Sequence, residues 1–226
     1  AGLHFTVAAK VHGMGLSQLP LDEFMAVLPS VMDILLRIAS IDTSDTTGYG
    51  WLDLNGNSRF ASWREHLCQV RDEEPGQFYD RWHKLFDSTF LDRKAFDHYY
   101  TKMEDLIDLT PSRRELVHGG FGYGNVLVND NQITVVLDWQ DARYGDHVFD
   151  LAYMINWLDG RTQEACVNVY KESLRKLGRS EARLEDRIKC YQYYTGVDGL
   201  RFAAKTKNEI FYRAVLDKLS LLDGAN

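Results

Sequence analysis

Two oxygen-bearing side chains, Asn125 and Asp138, stand thirteen positions apart across a segment that reads strand, turn, strand. The strands are Asn125–Val128 and Ile133–Leu137, and the Asn129-Asp130-Asn131-Gln132 link between them has hairpin-turn composition. Antiparallel pairing sets the start of the first strand beside the end of the second, so Asn125 and Asp138 meet at one end of the hairpin. An amide oxygen and a carboxylate suit Mg2+, which takes few protein ligands and completes its octahedron with phosphate and water. The chemistry such a pair serves is phosphoryl transfer, where metal charge on a nucleotide's phosphates and a positioned hydroxyl do most of the work. The plainer alternative for Asp138 is a strand-end acid.

The hairpin is the only strongly β region in a chain that otherwise reads as helices. Leu3–Val11 is β-prone and short, and predicts one strand or an extended linker. Leu21–Asp42 carries Phe24, Val27, Leu28, Val31, Ile34, Leu35 and Ile38 on one helical face, with Pro29 expected to kink or restart the helix. Thr43–Arg59 reads as loop, with a turn at Asn55-Gly56. Ser62 with Glu65 forms a capping box for a helix from Trp63 through Val70, and a second helix is expected over Phe78–Phe86. Asp92–Leu109 is amphipathic and stops at Pro111, before a short strand at Glu115–Val117. Beyond Val148 the pattern predicts helices over Phe149–Leu158, Thr162–Leu177, Glu181–Lys205 and Glu209–Leu222, with Gly178 and Gly224 as C-caps. Gly196 and Gly199 predict a break in the third of these. The fold class is α+β, mostly α, with the chemistry on one small hairpin.

Composition excludes several functions. A net charge of −7 opposes nonspecific nucleic-acid binding, which needs a basic face. It also favours cationic ligands. No apolar run approaches the length of a membrane span. Cys68, Cys166 and Cys190 are odd in number and scattered, which argues against a disulfide framework or zinc site and suits a reducing cytoplasm. Nothing in the composition speaks to oligomeric state.

The segments His118–Asn125, Ile133–Trp139 and Gly145–Ala152 resemble, in order and spacing, consecutive blocks of the aminoglycoside phosphotransferase family. Gly13–Pro20, Thr46–Gly50 and Ser62-Trp63-Arg64 extend the resemblance over most of the chain. It implies the larger, C-terminal lobe of a protein-kinase-like fold, using ATP and Mg2+ to phosphorylate a small-molecule alcohol or aminocyclitol. By the same resemblance His118 braces the catalytic loop, Asn125 and Asp138 bind the metal and its nucleotide, and Asp146 and Asp150 anchor the helix near Phe149. The family pattern reads His-Gly-Asp, four residues, Asn, and the position of its catalytic Asp is here Gly120. His147 stands where Pro is usual. Glycine cannot orient or deprotonate a hydroxyl, so transfer is expected to be slowed about 10²–10⁴-fold or abolished. Asp141 is the nearest alternative carboxylate, and Asp198, flanked by glycines, is the preferred contact for a cationic substrate among Asp159, Asp198 and Asp217.

The family also carries a smaller N-terminal β lobe over the ATP phosphates. Residues 1–20 are therefore expected to be a hinge left from a missing lobe and residues 21–226 the helical lobe, which alone would bind ATP weakly. Two functions compete: an impaired phosphotransferase, and a pseudokinase-like module that binds a small molecule or protein without turnover. The aromatics Trp139, Tyr153, Trp157 and Tyr191 to Tyr194 are read as core, with a substrate cleft as the alternative.

Overall fold

A computed structural model describes residues 9–224. Six short strands and eight α-helices follow one another as β1 (Met14–Gly15), α1 (Leu21–Ala39), β2 (Gly50–Trp51), α2 (Trp63–Cys68), α3 (Leu85–Ser88), α4 (Arg93–Ile107), β3 (Glu115–Val117), β4 (Val126–Asn129), β5 (Gln132–Val136), β6 (Arg143–Gly145), α5 (Val148–Ile155), α6 (Gly160–Lys176), α7 (Leu184–Lys205) and α8 (Glu209–Gly224). The architecture is mostly helical, with two small antiparallel sheets ordered β1-β4-β5 and β2-β6-β3.

The hairpin forms as its composition predicts. Asn129 pairs with Gln132, and the two turn residues between them, Asp130 and Asn131, both take left-handed backbone (φ 48 and 59). That is the turn whose twist matches right-twisted strands. Ser62 caps α2 by accepting the Glu65 N–H at 3.1 Å, while the Glu65 carboxylate reaches the N–H of Ala61, one residue before the expected partner. Asp92 caps α4 through the Ala95 N–H at 2.9 Å.

Three expectations are corrected. Helix α1 runs unbroken through Pro29, which lies on its exposed face, where water can take the carbonyl that the missing N–H would have bonded. Residues 78–86 do not form a helix; one 3₁₀ turn, Trp82–Lys84, and the four-residue α3 replace it, and the buried Trp82 indole donates to the Asp72 carbonyl at 2.8 Å. Helix α7 is continuous across Gly196 and Gly199. A Cβ at Gly196 would stand 2.4 Å from Leu219 Cδ2, and one at Gly199 3.2 Å from Val215 Cγ2, so these glycines admit α8 rather than interrupt α7. Of the stretch Leu3–Val11, residues 3–8 fall outside the described residues and 9–11 carry no regular structure.

The core is one cluster centred on α7, which packs against α4, α5 and α8. Tyr191, Tyr193 and Tyr194 lie inside it, whereas Trp139 and Trp157 are exposed by 39% and 42%, which divides the aromatics between core and surface. Cys166 and Cys190 are buried free thiols, and among the described residues no helix is long and apolar enough to cross a membrane.

Candidate active site

The loop from His118 to Gly124 leaves β3 and enters β4, and it is held from beneath by Asp150. One Asp150 oxygen accepts the His118 N–H at 2.7 Å and the other the Gly119 N–H at 2.8 Å. Asp150 is buried on α5, and burial pushes its carboxyl up from the usual range while the two N–H groups and the Arg143 charge oppose that shift. An acid within the apolar run Val148–Ala152 was the sequence signal for this clamp, because a buried carboxylate must find donors.

His118 is buried and bonded at both ring nitrogens. Nδ1 accepts the Gly120 N–H at 3.2 Å, which makes Nε2 the protonated nitrogen and the donor to the Leu137 carbonyl at 2.8 Å. Trp139 covers the ring, with centroids 4.6 Å apart. The histidine thus ties the loop to the end of β5.

The hairpin brings Asn125 and Asp138 together at that end: the Leu137 N–H donates to the Asn125 carbonyl at 2.7 Å. Asn125 Nδ2 donates to the Gly120 carbonyl at 2.9 Å, leaving Oδ1 unengaged among the described residues. The Asp138 carboxylate is exposed, and no described residue bonds it. Its backbone is left-handed (φ 64, ψ 66), which turns the chain out of β5 into the 3₁₀ turn Trp139–Asp141. Two free hard oxygens at one hairpin end form a donor set that fits Mg2+.

The glycines of the loop are not equivalent. Gly119 (φ 85) and Gly122 (φ 100) are obligatory, since a Cβ would stand 2.2 Å from the Asp141 carbonyl oxygen at the first and 2.5 Å from Met154 Cγ at the second. A Cβ at Gly120 would meet Asn125 Nδ2 at 3.4 Å and the His118 ring at 3.9 Å, ordinary contacts. Nothing in the backbone requires glycine at Gly120.

Arg143 is buried on β6. Its Nε donates to the Asp141 carbonyl at 3.0 Å, and its guanidinium lies 4.8 Å from the Phe149 ring centre. Beside it, burial followed by the charges of Arg143 and Arg59 pushes the imidazole of His66 well below its ordinary range, so that His66 stays neutral. Burial pushes the Tyr153 phenol up, and the charges of Asp141, Asp198 and Asp138 act in the same direction. Asp198 itself accepts from the Tyr79 hydroxyl at 3.1 Å and from Arg201 Nε at 2.8 Å. Asp159 caps α6, and Asp217 is exposed on α8.

Glu115, Asp146 and His147 also lie close enough together to bind a cation. That cluster already holds its counter-ions: Arg187 grips Asp146 at 2.8 and 2.5 Å and Glu181 at 2.8 Å, and His147 Nδ1 meets Glu115 at 2.6 Å. It braces the start of α5, where His147 Nε2 also meets the Tyr170 hydroxyl at 2.6 Å.

A helical lobe carrying one hairpin, with a loop clamped beneath it and a metal-type donor pair at its end, is the plan of the larger lobe of kinase-like phosphotransferases. The chain belongs to the phosphotransferase enzyme (APH) family, whose pattern matches residues 1–186. The hygromycin-B 4-O-kinase of Escherichia coli is 30% identical over 202 residues, 88% of this chain and 55% of that protein. The chain therefore spans a little over half of that relative's length. Among solved structures, a thermostable mutant of aminoglycoside phosphotransferase APH(4)-Ia in ternary complex with AMP-PNP and hygromycin B superposes with a TM-score of 0.76 at 25% identity, covering 96% of this chain and 71% of that one. The macrolide 2'-phosphotransferase MphH from Brachybacterium faecium shares the fold alone, with a TM-score of 0.55 at 16% identity over 93% of this chain and 67% of that one.

Proposed function

We propose that this chain is the larger lobe of an ATP-dependent phosphotransferase acting on a small-molecule hydroxyl, impaired at the step that needs a proton acceptor. The observation that carries the reading is the Asn125 amide: its Nδ2 donates to the Gly120 carbonyl, its Oδ1 has no partner among the described residues, and its backbone carbonyl accepts the Leu137 N–H next to Asp138. Asn125 and Asp138 would hold Mg2+ and, through it, the nucleotide phosphates. Bound there, the ion would neutralise the charge that builds on the transferring group. His118 holds the loop, and Gly120 occupies the position of the proton acceptor without supplying one. Asp141 and Asp198 are read as the carboxylates that meet an amine-bearing acceptor, an aminocyclitol or related alcohol of the kind the hygromycin-type relatives suggest, with Asp198 shared with Arg201.

We read residues 1–20 as a hinge and residues 21–226 as the lobe. The pairing of Met14-Gly15 with β4 and the Ser17 N–H donating to the Tyr123 carbonyl at 3.3 Å support a hinge seated against the loop. The three free thiols suit a reducing cytoplasmic setting.

The test is phosphate transfer from ATP and Mg2+ to a panel of amino alcohols by the native chain and by Gly120→Asp. The reading expects the variant to gain about 10²–10⁴-fold. A Gly120→Asp protein that binds nucleotide yet transfers no faster would support the second reading, a binding module without turnover, which the glycine itself favours.

A further inference from the structure

A cavity of about 450 Å3 opens where the corner between α5 and α6 meets α7 and α8, within the size range of small-molecule sites. Trp157, Leu158 and Leu219 supply apolar wall, and two buried amides supply the polar part. Asn156, just past α5, is only 4% exposed, and its side-chain amide lines the cavity with no hydrogen-bond partner among the described residues. Gln192, 5% exposed on α7, gives one N–H to Gln163 Oε1 at a long 3.4 Å and has no partner for its own Oε1 among the described residues. Beside it the Thr195 hydroxyl donates to the Tyr191 carbonyl at 2.9 Å and can still accept. Buried amides are nearly always paired, so unpaired ones on a cavity wall point to a ligand that pairs them.

The two charges at the rim offset each other. Lys218 Nζ donates to the Leu158 carbonyl at 3.0 Å, and burial pushes its amine down while the Asp159 carboxylate opposes that shift. Asp159 is itself engaged by the Arg161 and Thr162 N–H groups and the Thr162 hydroxyl. The wall therefore presents donors and acceptors together, without net charge. An anion would use only the donors and a cation only the acceptors, and either would give up its hydration for an uncharged wall. A hydroxyl donates and accepts at once, so a ring bearing several of them pairs with both amides and Thr195 while its C–H face lies against Trp157.

We propose that this cavity is a binding site for a neutral polyhydroxylated ring, an uncharged sugar or cyclitol, separate from the end of the hairpin. Among the described residues, neither the His118–Gly124 loop nor Asp138 lines it, so binding there needs neither Mg2+ nor nucleotide. The loop meets this region through the backbone: the Tyr123 hydroxyl accepts the Trp157 N–H at 3.1 Å and donates to the Tyr153 carbonyl at 3.3 Å, which caps the end of α5. The assignment does not rest on the phosphotransferase reading and holds equally for a binding module.

The test is a set of amide NMR titrations of the full chain with methyl glucoside, glucosamine and glucuronate, one ring type carrying no charge, a positive charge and a negative charge. Methyl glucoside is expected to bind at least about tenfold more tightly than either charged ring, with Mg2+ present or chelated. It should shift the side-chain amide signals of Asn156 and Gln192 more than that of Asn125. Asn156→Leu is expected to weaken binding at least about tenfold. Its thermal midpoint should be unchanged or raised, because it removes a buried amide that the fold leaves unpaired. Gln192→Leu is expected to weaken binding likewise and serves if the first variant folds poorly. Binding of none of the three rings, equal or tighter binding of a charged one, shifts centred on Asn125, loss of binding on chelation, or binding that survives both substitutions would overturn the assignment.

Discussion

Asn125 Nδ2 donates to the Gly120 carbonyl at 2.9 Å, which ties the amide to the loop five residues before it. The contact uses only the Gly120 backbone, so it would be the same whichever side chain stood there. The orientation of the Asn125 side chain therefore does not depend on which side chain stands at position 120.

Gly120→Asp should consequently fold. The position has ordinary backbone angles and room for a Cβ. Chemical denaturation should show stability unchanged or raised by up to about 1 kcal/mol, because the unfolded chain loses more freedom than the folded one. A clear loss of stability would show that the loop depends on glycine there.

Gly119→Ala is the contrasting case. Its Cβ would overlap the Asp141 carbonyl, and its φ of 85 suits glycine. We expect a loss of about 2–4 kcal/mol from steric overlap and backbone strain together, read from the same denaturation curves.

Asp150→Asn should loosen the loop rather than the lobe. The amide has one acceptor oxygen where the carboxylate offers two, so one of the His118 and Gly119 N–H groups loses its partner. A cost of about 1–3 kcal/mol follows from one unsatisfied buried donor. Amide hydrogen exchange should accelerate at His118 and Gly119 before it does in α4 or α7.

Acid should release the end of α8. Hydrogen bonds from His98 and Lys102 hold the Asp223 carboxyl at about 2, below its ordinary 3.8. A carboxyl lowered in the folded state adds stability above its unfolded pKa, and that contribution is lost as pH falls from about 4 towards 2. Thermal midpoints measured across that range should fall less steeply for Asp223→Asn than for the native chain. Identical slopes would show that Asp223 stabilises nothing.

The hairpin, its left-handed Asp130-Asn131 turn, the caps at Ser62 and Asp92 and the apolar faces of α1 and α4 were all legible in the chain. Each rests on bonds or periodicities within a few residues, and local composition suffices to specify those. That Asn125 and Asp138 share one end of the hairpin was legible for the same reason, whereas the irregularity between Leu127 and Val128 that shifts the register by one residue was not. The tertiary structure alone decided that Asp150 would grip a loop some thirty residues before it and that Tyr123 would cap α5. It also decided that Gly196 and Gly199 would admit a neighbouring helix instead of ending their own, and that Pro29 would be harmless on an exposed face. A glycine or proline has the same local propensity wherever it stands. Whether it breaks a helix depends on what packs against it, and that is set by residues far away in sequence.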